Sequence, residues 1–289
     1  MKKTKDLNVR FGPSGNDELF YQQGFKATVQ AMKWVSELGL NAFEVCFGRG
    51  SRMSTETAHK IGSEAEKYGV QVSVHAPYYI NLAKPEMFDK NYRWIEQSLR
   101  MCKAMGGNRI VVHVASQGDF TREQAIINTE KSLREVLKRL EEDGYFDFLL
   151  CIETMGRYKQ IGNYQEICQI CKIDKRVVPT LDFGHINCVL QGELQTNPDK
   201  ITEIIDYVEA EIGLDKLRKV HVHWSAIEYT EIGERKHTTL DNGRWNFSFK
   251  PFVRAILEKG MEPVIICESQ DIMAQDAVKL KKEFESTQV

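Results

Sequence analysis

Hydrophobic and polar positions along the chain alternate between two kinds of segment. Short runs rich in β-branched and aromatic residues predict buried strands, and longer runs with apolar residues every three or four positions predict amphipathic helices. This alternation occurs eight times. The predicted strands are Leu7–Phe11, Ala42–Phe47, Gln71–His75, Arg109–Val114, Phe148–Glu153, Val177–Asp182, Lys219–Trp224 and Pro263–Glu268, and the predicted helices cover 27–38, 54–68, 89–105, 122–143, 163–172, 199–212, 247–260 and 271–284.

Eight β–α units in succession are typical of a closed (β/α)8 barrel, an α/β fold that commonly forms a single domain of about 250 residues. The 289 residues contain no low-complexity segment and no linker rich in Pro, Gly or Ser. We therefore predict a single TIM-barrel domain over residues 1–289, with its site at the C-terminal mouth of the strands. The long connection 226–245 follows the seventh strand on this face, and connections of this length are usually functional or disordered.

Composition narrows the class of protein. The 42% hydrophobic and 28% charged residues are typical of a globular protein, and a net charge of −2 excludes a broadly basic surface but not a local basic groove. No apolar run approaches the ~18 residues of a membrane span, and the first residues lack the apolar segment of a signal peptide, so we expect a cytoplasmic protein with no membrane partner. The pair Cys168 and Cys171 has no second pair to complete a zinc site, and we expect it to pack in the core.

Ionisable residues stand at or near the C-terminal ends of six predicted strands. They are His75, His113, Glu153, Asp182, His221, His223 and Glu268. Because these ends meet at one mouth of a barrel, three carboxylates and several imidazoles should lie together. Buried carboxylates need partners, and divalent cations supply them. Histidine and carboxylate ligands without paired cysteines favour zinc or manganese in a hydrolytic or isomerising site.

These motifs resemble those of the endonuclease IV family of apurinic/apyrimidinic endonucleases, within the xylose-isomerase-like TIM barrels. The most specific match is the segment His75-Ala-Pro-Tyr-Tyr-Ile-Asn-Leu-Ala83. The resemblance continues in order through Val-Val-His113, Ile-Glu153-Thr, Leu-Asp182-Phe-Gly-His185, Lys-Val-His221, His237 and Cys-Glu268. It implies hydrolysis of the phosphodiester on the 5′ side of an abasic site in double-stranded DNA, as in base-excision repair.

The resemblance also implies three zinc ions and a set of ligands for them. From the residues of this chain we expect two or three ions, with manganese as a second possibility. A first ion would be held by His75, His113 and Glu153, a second by Glu153 as a bridge with Asp182, His221 and Glu268, and a third by His185 and His237. Two cations about 3.5–4 Å apart can lower the pKa of a shared water and bind the reacting phosphate. Glu153 and Glu268 are the predicted catalytic residues, and Glu268 is the candidate to orient the hydroxide.

Three motifs depart from the family pattern beside a ligand. His113-Val-Ala stands in place of His-Pro-Gly, Glu153-Thr-Met in place of Glu-Asn-Thr, and His221-Val-His223-Trp224 in place of His-x-Asn-Asp. These changes weaken the prediction of abasic-site cleavage more than the prediction of a metal-binding barrel. Because His221 and His223 share one face of a strand, either residue is compatible with the role of the strand-seven ligand.

The sequence departs most from the family pattern at the ligands of the third ion. Arg235 stands where the family has an aspartate ligand, and a guanidinium cannot bind a cation. We predict that Glu234 takes this place beside His185 and His237, in a site that is occupied but weaker than the bridged pair. The alternative is that Arg235 turns inward to bind a substrate phosphate and the third cation is absent.

DNA recognition requires side chains that fill the gap left by the missing base. Tyr78 and Tyr79 follow the His75 ligand and are suited to stacking. Arg49, Arg52 and Arg157, with Lys159, lie in loops after strand ends and could contact phosphates. Other interpretations stay open, since Tyr78 could pack on the barrel rim and loop arginines are usually solvated. We favour a monomer.

Two other classes of function stay open. A sugar or sugar-phosphate isomerase or epimerase on the same barrel would use one cation held by Glu153, Asp182, His221 and Glu268. His75, His113 and His237 favour the phosphodiesterase, because a one-metal isomerase does not need them. A non-enzymatic metal- or nucleic-acid-binding module would be favoured by an incomplete ligand set.

Overall fold

The computed structural model describes residues 7–48, 50 and 53–287. Its strands are β1 (Arg10–Pro13), β2 (Ala42–Cys46), β3 (Gln71–His75), β4 (Arg109–Val112), β5 (Ala115–Ser116), β6 (Leu149–Glu153), β7 (Gln160–Ile161), β8 (Val177–Asp182), β9 (His221–Trp224), β10 (Ala226–Thr230), β11 (Gly233–Thr238) and β12 (Val264–Cys267). Its α-helices are α1 (Glu18–Gln22), α2 (Ala31–Glu37), α3 (Thr55–Tyr68), α4 (Phe88–Ala104), α5 (Arg122–Glu142), α6 (Tyr164–Cys171), α7 (Phe183–Val189), α8 (Glu193–Thr196), α9 (Lys200–Ile212), α10 (Leu214–Leu217), α11 (Lys250–Lys259) and α12 (Met273–Thr287). Short 3₁₀ turns cover Thr28–Gln30 and Pro85–Met87.

Eight of the strands form one parallel sheet that curls into a barrel. Their order is β1-β12-β9-β8-β6-β4-β3-β2, and the first and last strands of this order meet. The backbone N–H of Asn41 donates to the carbonyl of Phe11 at 3.1 Å, and the Asn41 side chain accepts from the Phe11 N–H at 2.9 Å. A parallel bridge between Ser14 and Glu44 continues this contact. The predicted (β/α)8 TIM barrel is therefore confirmed.

Local sequence signals determine where helices begin and end. Helix α3 is an example: the Ser54 hydroxyl accepts a hydrogen bond from the backbone N–H of Thr57 at 3.1 Å and caps its first turn. Gly69 ends the helix at φ 67°, a conformation that glycine adopts readily. Ala58, Ile61 and Ala65 recur on one face and are buried against the barrel.

The boundaries of the predicted strands and helices agree with the structure to within a few residues, except at the first strand and in the connection after β9. The first strand was predicted at Leu7–Phe11 but lies at Arg10–Pro13, because Gly12 and Pro13 continue the strand although neither has a high strand propensity. The connection 226–245 contains the antiparallel hairpin β10–β11. Both strands are short and β11 is largely polar, so hydrophobic periodicity does not reveal the hairpin.

The interior of the barrel changes from apolar to polar toward the mouth. Two small apolar clusters fill part of it, one of Ala42, Val264 and Ile266 and the other of Val111, Cys151 and Val178. Glu44, His221 and His223 are fully buried in this interior. Ionisable groups that are buried together in this way must pair with one another, because an unpaired buried charge destabilises the fold.

The structure also shows where the cysteines and His59 lie and whether any helix could cross a membrane. Cys168 and Cys171 are buried on α6, and the cysteines are free. His59 is exposed on α3. Within residues 7–48, 50 and 53–287, no helix combines the length and apolar character that a bilayer crossing requires.

A test of barrel closure is provided by Gly12, where β1 approaches β2. A Cβ atom at this position would lie 1.8 Å from the carbonyl oxygen of Ala42. We expect Gly12→Ala to lower the free energy of unfolding by at least about 1–3 kcal/mol, because the backbone of two adjoining strands must move apart. Denaturant unfolding measures the effect. Gly243→Ala is the matched control, since a Cβ there meets no atom within 4 Å; equal stabilities of the two variants would contradict this account of closure.

Candidate metal centre

Glu153, at the end of β6, lies at the centre of the mouth with its two carboxylate oxygens facing different histidines. Oε2 lies 3.1 Å from Nε2 of His75 and 2.9 Å from Nε2 of His113. Oε1 lies 3.0 Å from Nδ1 of His223 and 3.5 Å from Nδ1 of His185. The Glu153 side chain is only 1% exposed. A carboxylate whose oxygens face two sets of donor atoms is suited to bridge two cations.

Asp182 and Glu268 join Glu153 and His223 in a second group. One potential ligand atom of each residue lies within 4.8 Å of those of the others. Nδ1 of His223 lies 3.4 Å from Oε2 of Glu268 and 3.8 Å from Oδ2 of Asp182. The Ser14 hydroxyl donates to Oε1 of Glu268 at 3.1 Å, which leaves Oε2 directed at His223.

The step from β8 into α7 positions Asp182 and His185 together. Oδ1 of Asp182 accepts the backbone N–H of His185 at 2.8 Å and caps the helix. The imidazole Nδ1 of His185 lies 2.9 Å from the carbonyl of Thr154, so Nε2 faces the other way, toward the hairpin. One short turn therefore supplies a carboxylate to the second group and an imidazole to a third.

The structure distinguishes the two histidines that the sequence left as alternatives. The sheet register sets His223 beside Asp182 and Ile266, whereas His221 lies beside Thr180 and Val264. Two residues of strand span about 6.6 Å, so His221 lies one layer deeper in the barrel. The structure does not bring His221 to the other ligands to which the resemblance assigned it, and His223 occupies that place instead.

Glu44 on β2 is a site residue that the sequence analysis missed. It is fully buried in the barrel interior, where Oε1 lies 3.0 Å from Nε2 of His223 and Oε2 lies 3.0 Å from Nε2 of His221. The Ser73 hydroxyl donates to Oε2 at 2.8 Å. A signal was present, because a glutamate flanked by Phe43 and Val45 interrupts an otherwise apolar strand.

The hairpin brings Glu234 and His237 close to His185. Oε2 of Glu234 lies 3.6 Å from Nε2 of His185, and Oε1 lies 3.9 Å from Nε2 of His237. Gly156 makes room for this group, because a Cβ there would lie 2.8 Å from both Glu234 and His185. Arg235 points away: its side chain is 65% exposed and pairs with Glu228 at 2.5 Å. The alternative in which Arg235 turns inward is therefore not the arrangement of this structure.

Charges across the mouth compensate one another. Burial opposes ionisation of Glu153, yet the positive charges of His113 and His223 hold the pKa of this carboxyl well below its usual range. Burial likewise opposes the charged form of His75, but the Glu153 carboxylate raises the pKa of His75 to about 9. Burial raises the pKa of Asp182. Because metal ligands bind in their deprotonated forms, cations that bound to His75 and Glu153 would displace the proton that this pair favours on the imidazole.

The donor set fits a divalent cation. Oδ2 of Asp182 is buried and has no hydrogen-bond partner among the residues that the structure describes, although it faces His223 and His185. Native proteins rarely leave a buried carboxylate oxygen unpaired. Imidazole nitrogens and carboxylate oxygens are the ligands that zinc takes in catalytic sites, and manganese accepts the same set.

A cavity of about 260 Å³ opens above these groups. Tyr78 lies on its rim and is 54% exposed, whereas the Tyr79 ring packs against Trp94 with their centroids 4.2 Å apart. Arg157 is 57% exposed, with Nε 3.8 Å from Oε2 of Glu234, and Lys159 is exposed beside it. The tyrosine pair is thus divided between the rim and the barrel wall, while the predicted contacts Arg49 and Arg52 lie outside the described residues.

Comparison with known proteins gives both sequence and structural relatives. An uncharacterized protein of Methanocaldococcus jannaschii is 28% identical over 257 residues, which cover 88% of this chain and 90% of that protein. A probable endonuclease 4 of Staphylococcus carnosus is 30% identical over 198 residues, which cover 64% of this chain and 63% of that protein. The resemblance noticed in the motifs is thereby confirmed as sequence similarity.

Solved structures with the same fold include proteins of two activities. Endonuclease IV from Thermus thermophilus matches with a TM-score of 0.69 and 18% identity, and covers 96% of this chain and 98% of its own. A D-tagatose 3-epimerase-like protein matches with a TM-score of 0.72 and 22% identity over the same shares. At these identities the structures show the fold alone.

The model of the family described as "Xylose isomerase-like TIM barrel" matches residues 32–286. This match covers most of the chain and seven of its eight barrel strands. The chain belongs to the xylose isomerase-like TIM barrel family.

Proposed function

We propose that this protein is a metal-dependent phosphodiesterase that resembles endonuclease IV and hydrolyses DNA on the 5′ side of abasic sites. The observation that carries the proposal is the shared carboxylate of Glu153. Its Oε2 faces His75 and His113 while its Oε1 faces His223, at distances of 2.9–3.1 Å. A site built for one cation does not need donor atoms on both oxygens of one carboxylate.

The third group supports the same proposal. His185, Glu234 and His237 offer ligand atoms that lie within 4.8 Å of one another, next to the group that contains Glu153. The similarity to probable endonuclease 4 proteins points in the same direction. We infer a centre of two bridged cations and a third, weaker one, with zinc as the first choice and manganese as the second.

The chain's own residues would divide the work of phosphodiester hydrolysis. Glu153, Asp182 and His223 would hold the cations, which when bound supply the positive charge that activates water and neutralises the phosphate. Glu268 is 16% exposed to the cavity, in contrast to the buried Glu153. Because Ser14 fixes one of its oxygens, Glu268 is placed to accept a proton from the attacking water with the other.

Recognition of an abasic site would fall to the rim of the cavity. Tyr78 stands free of the barrel wall and can enter a gap in the base stack, whereas Tyr79 is held by Trp94 and supports it from below. Exposed Arg157 and Lys159 lie in the loop after Glu153 and can contact backbone phosphates. In this proposal the partner is double-stranded DNA.

A second candidate function is isomerisation or epimerisation of a sugar or sugar phosphate with one cation. The observation in its favour is the compact group of Glu153, Asp182, His223 and Glu268. These four residues would suffice for that chemistry. The epimerase-like structural match adds only a shared fold. His75 and His113 would then have no evident role, which is why we prefer the phosphodiesterase.

The role of Glu153 can be tested with Glu153→Gln. An amide cannot bridge two cations, so we expect loss of bound metal and a fall in abasic-site nicking of at least about 100-fold, beyond what loss of a residue supporting a ligand usually causes. Metal analysis and nicking of an abasic duplex measure both effects. Glu166→Gln is the control, because Glu166 is a buried carboxylate that pairs with Arg122 rather than with these ligands. Full metal content and activity in Glu153→Gln would rule out a bridge.

Glu234 provides a test of the third cation. We expect Glu234→Gln to bind one cation fewer per chain than the parent, because His185 and His237 would lose the carboxylate that they share. Elemental analysis after zinc loading gives the count. Arg235→Ala serves as the neighbouring control, since Arg235 is exposed and pairs with Glu228. If the parent and Glu234→Gln hold the same number of ions, the Glu234 carboxylate does not hold a third cation.

Tyr78 tests the DNA part of the proposal. We expect Tyr78→Ala to weaken binding of an abasic duplex roughly 5- to 150-fold, the equivalent of one lost stacking contact of about 1–3 kcal/mol, without changing metal content. Fluorescence anisotropy with labelled duplexes measures this affinity. Phe146→Ala is the matched control, because Phe146 is 67% exposed just before β6, at the opposite end of the barrel. Unchanged affinity, or a parent protein without DNA affinity, would remove the recognition argument.

A further inference from the structure

We infer that Glu44 is a positioning residue for the metal centre: its carboxylate accepts the Nε2 proton of His223 and so keeps the Nδ1 lone pair directed at the cation site. The inference rests on the metal-binding part of the proposed function and not on the identity of the substrate.

The two nitrogens of His223 face opposite sides of the ring. Nδ1 lies 3.0 Å from Oε1 of Glu153 and 3.4 Å from Oε2 of Glu268, on the side of the mouth. Nε2 lies 3.0 Å from Oε1 of Glu44, on the side of the barrel interior. A neutral imidazole has one N–H, so the group at Nε2 determines which nitrogen is free to bind a cation.

Glu44 is itself held in place. The Ser73 hydroxyl donates to its Oε2 at 2.8 Å, and Nε2 of His221 lies 3.0 Å from the same oxygen. This arrangement leaves Oε1 for His223. Within the described part of the chain, Oε1 of Glu44 and Nε2 of His223 are both buried without a hydrogen-bond partner, although they lie only 3.0 Å apart. Each atom is therefore available to the other.

Burial explains why this contact matters. Glu44 and His223 are both inaccessible to solvent, so water cannot replace either partner. An ionised carboxylate behind an imidazole ligand fixes the tautomer, orients the ring and makes the opposite nitrogen a stronger base. We expect His223 to bind zinc less tightly when that negative charge is removed.

The same geometry allows a competing arrangement, in which Glu44, His221 and His223 hold a cation of their own. Their ligand atoms lie within 4.8 Å of one another. The two arrangements differ in what His221 does. A separate cation would need His221 as a ligand, whereas a positioning role for Glu44 does not.

The experiment compares zinc-loaded parent protein with Glu44→Gln and His221→Asn. Zinc affinity is measured by competition with a chelator, zinc content by elemental analysis, and the fold by circular dichroism. We expect the zinc dissociation constant of the most weakened site in Glu44→Gln to rise roughly 10- to 100-fold. His221→Asn should keep the full zinc content of the parent.

Two outcomes would overturn the inference. Parent-like zinc affinity in Glu44→Gln would show that the carboxylate does not support His223, and loss of the same cation from both variants would show that Glu44 and His221 are ligands. These readouts need no DNA, so failure of the parent to nick an abasic duplex would reject the proposed substrate without touching this inference.

If Glu44→Gln does not fold, a measurement on the parent protein alone can still test the inference. Long-range ¹H–¹⁵N spectra of the zinc-loaded protein report which nitrogen of each histidine carries a proton. We expect the proton of His223 on Nε2. A proton on Nδ1 would contradict the inference.

Discussion

Compensation of the buried carboxylate of Glu153 is the constraint on which the mouth of the barrel depends. This group is 1% exposed and lies at the end of an apolar strand, where an unpaired charge would strongly destabilise the fold. Histidines from β3, β9 and the segment after β4 surround it, and its pKa is lowered despite its burial. The same donors that neutralise Glu153 in the protein are those that divalent cations bind. Fold stability and metal binding therefore both require histidines around the Glu153 carboxylate.

Much of this arrangement could be predicted, because barrel topology converts sequence position into spatial position. Residues at the ends of parallel strands converge whatever the details of packing, so His75, His113, Glu153, Asp182 and Glu268 could be placed together from the chain alone. Glu234 could be proposed because a loop backbone tolerates a one-residue shift of a ligand. The structure places it between His185 and His237.

The sequence could not show how far each interior side chain lies from the mouth of the barrel. His221 and His223 point to the same interior, and only the register with Asp182 and Ile266 shows which of them reaches the mouth. Glu44 was overlooked for a related reason. It lies below the strand ends, and a search confined to those ends cannot find a residue that supports a ligand from the interior. The hairpin β10–β11 was also not recognised, because its pairing is local and β11 is mainly polar.

The central claim is that Glu153 is shared between cations. The number of zinc ions per chain in purified, zinc-loaded and then dialysed parent protein tests it most directly, by elemental analysis against a protein concentration from amino-acid analysis. The account predicts at least two tightly bound ions per chain. A single ion per chain would contradict it and would leave the group of Glu153, Asp182, His223 and Glu268 as a one-metal site of the isomerase type.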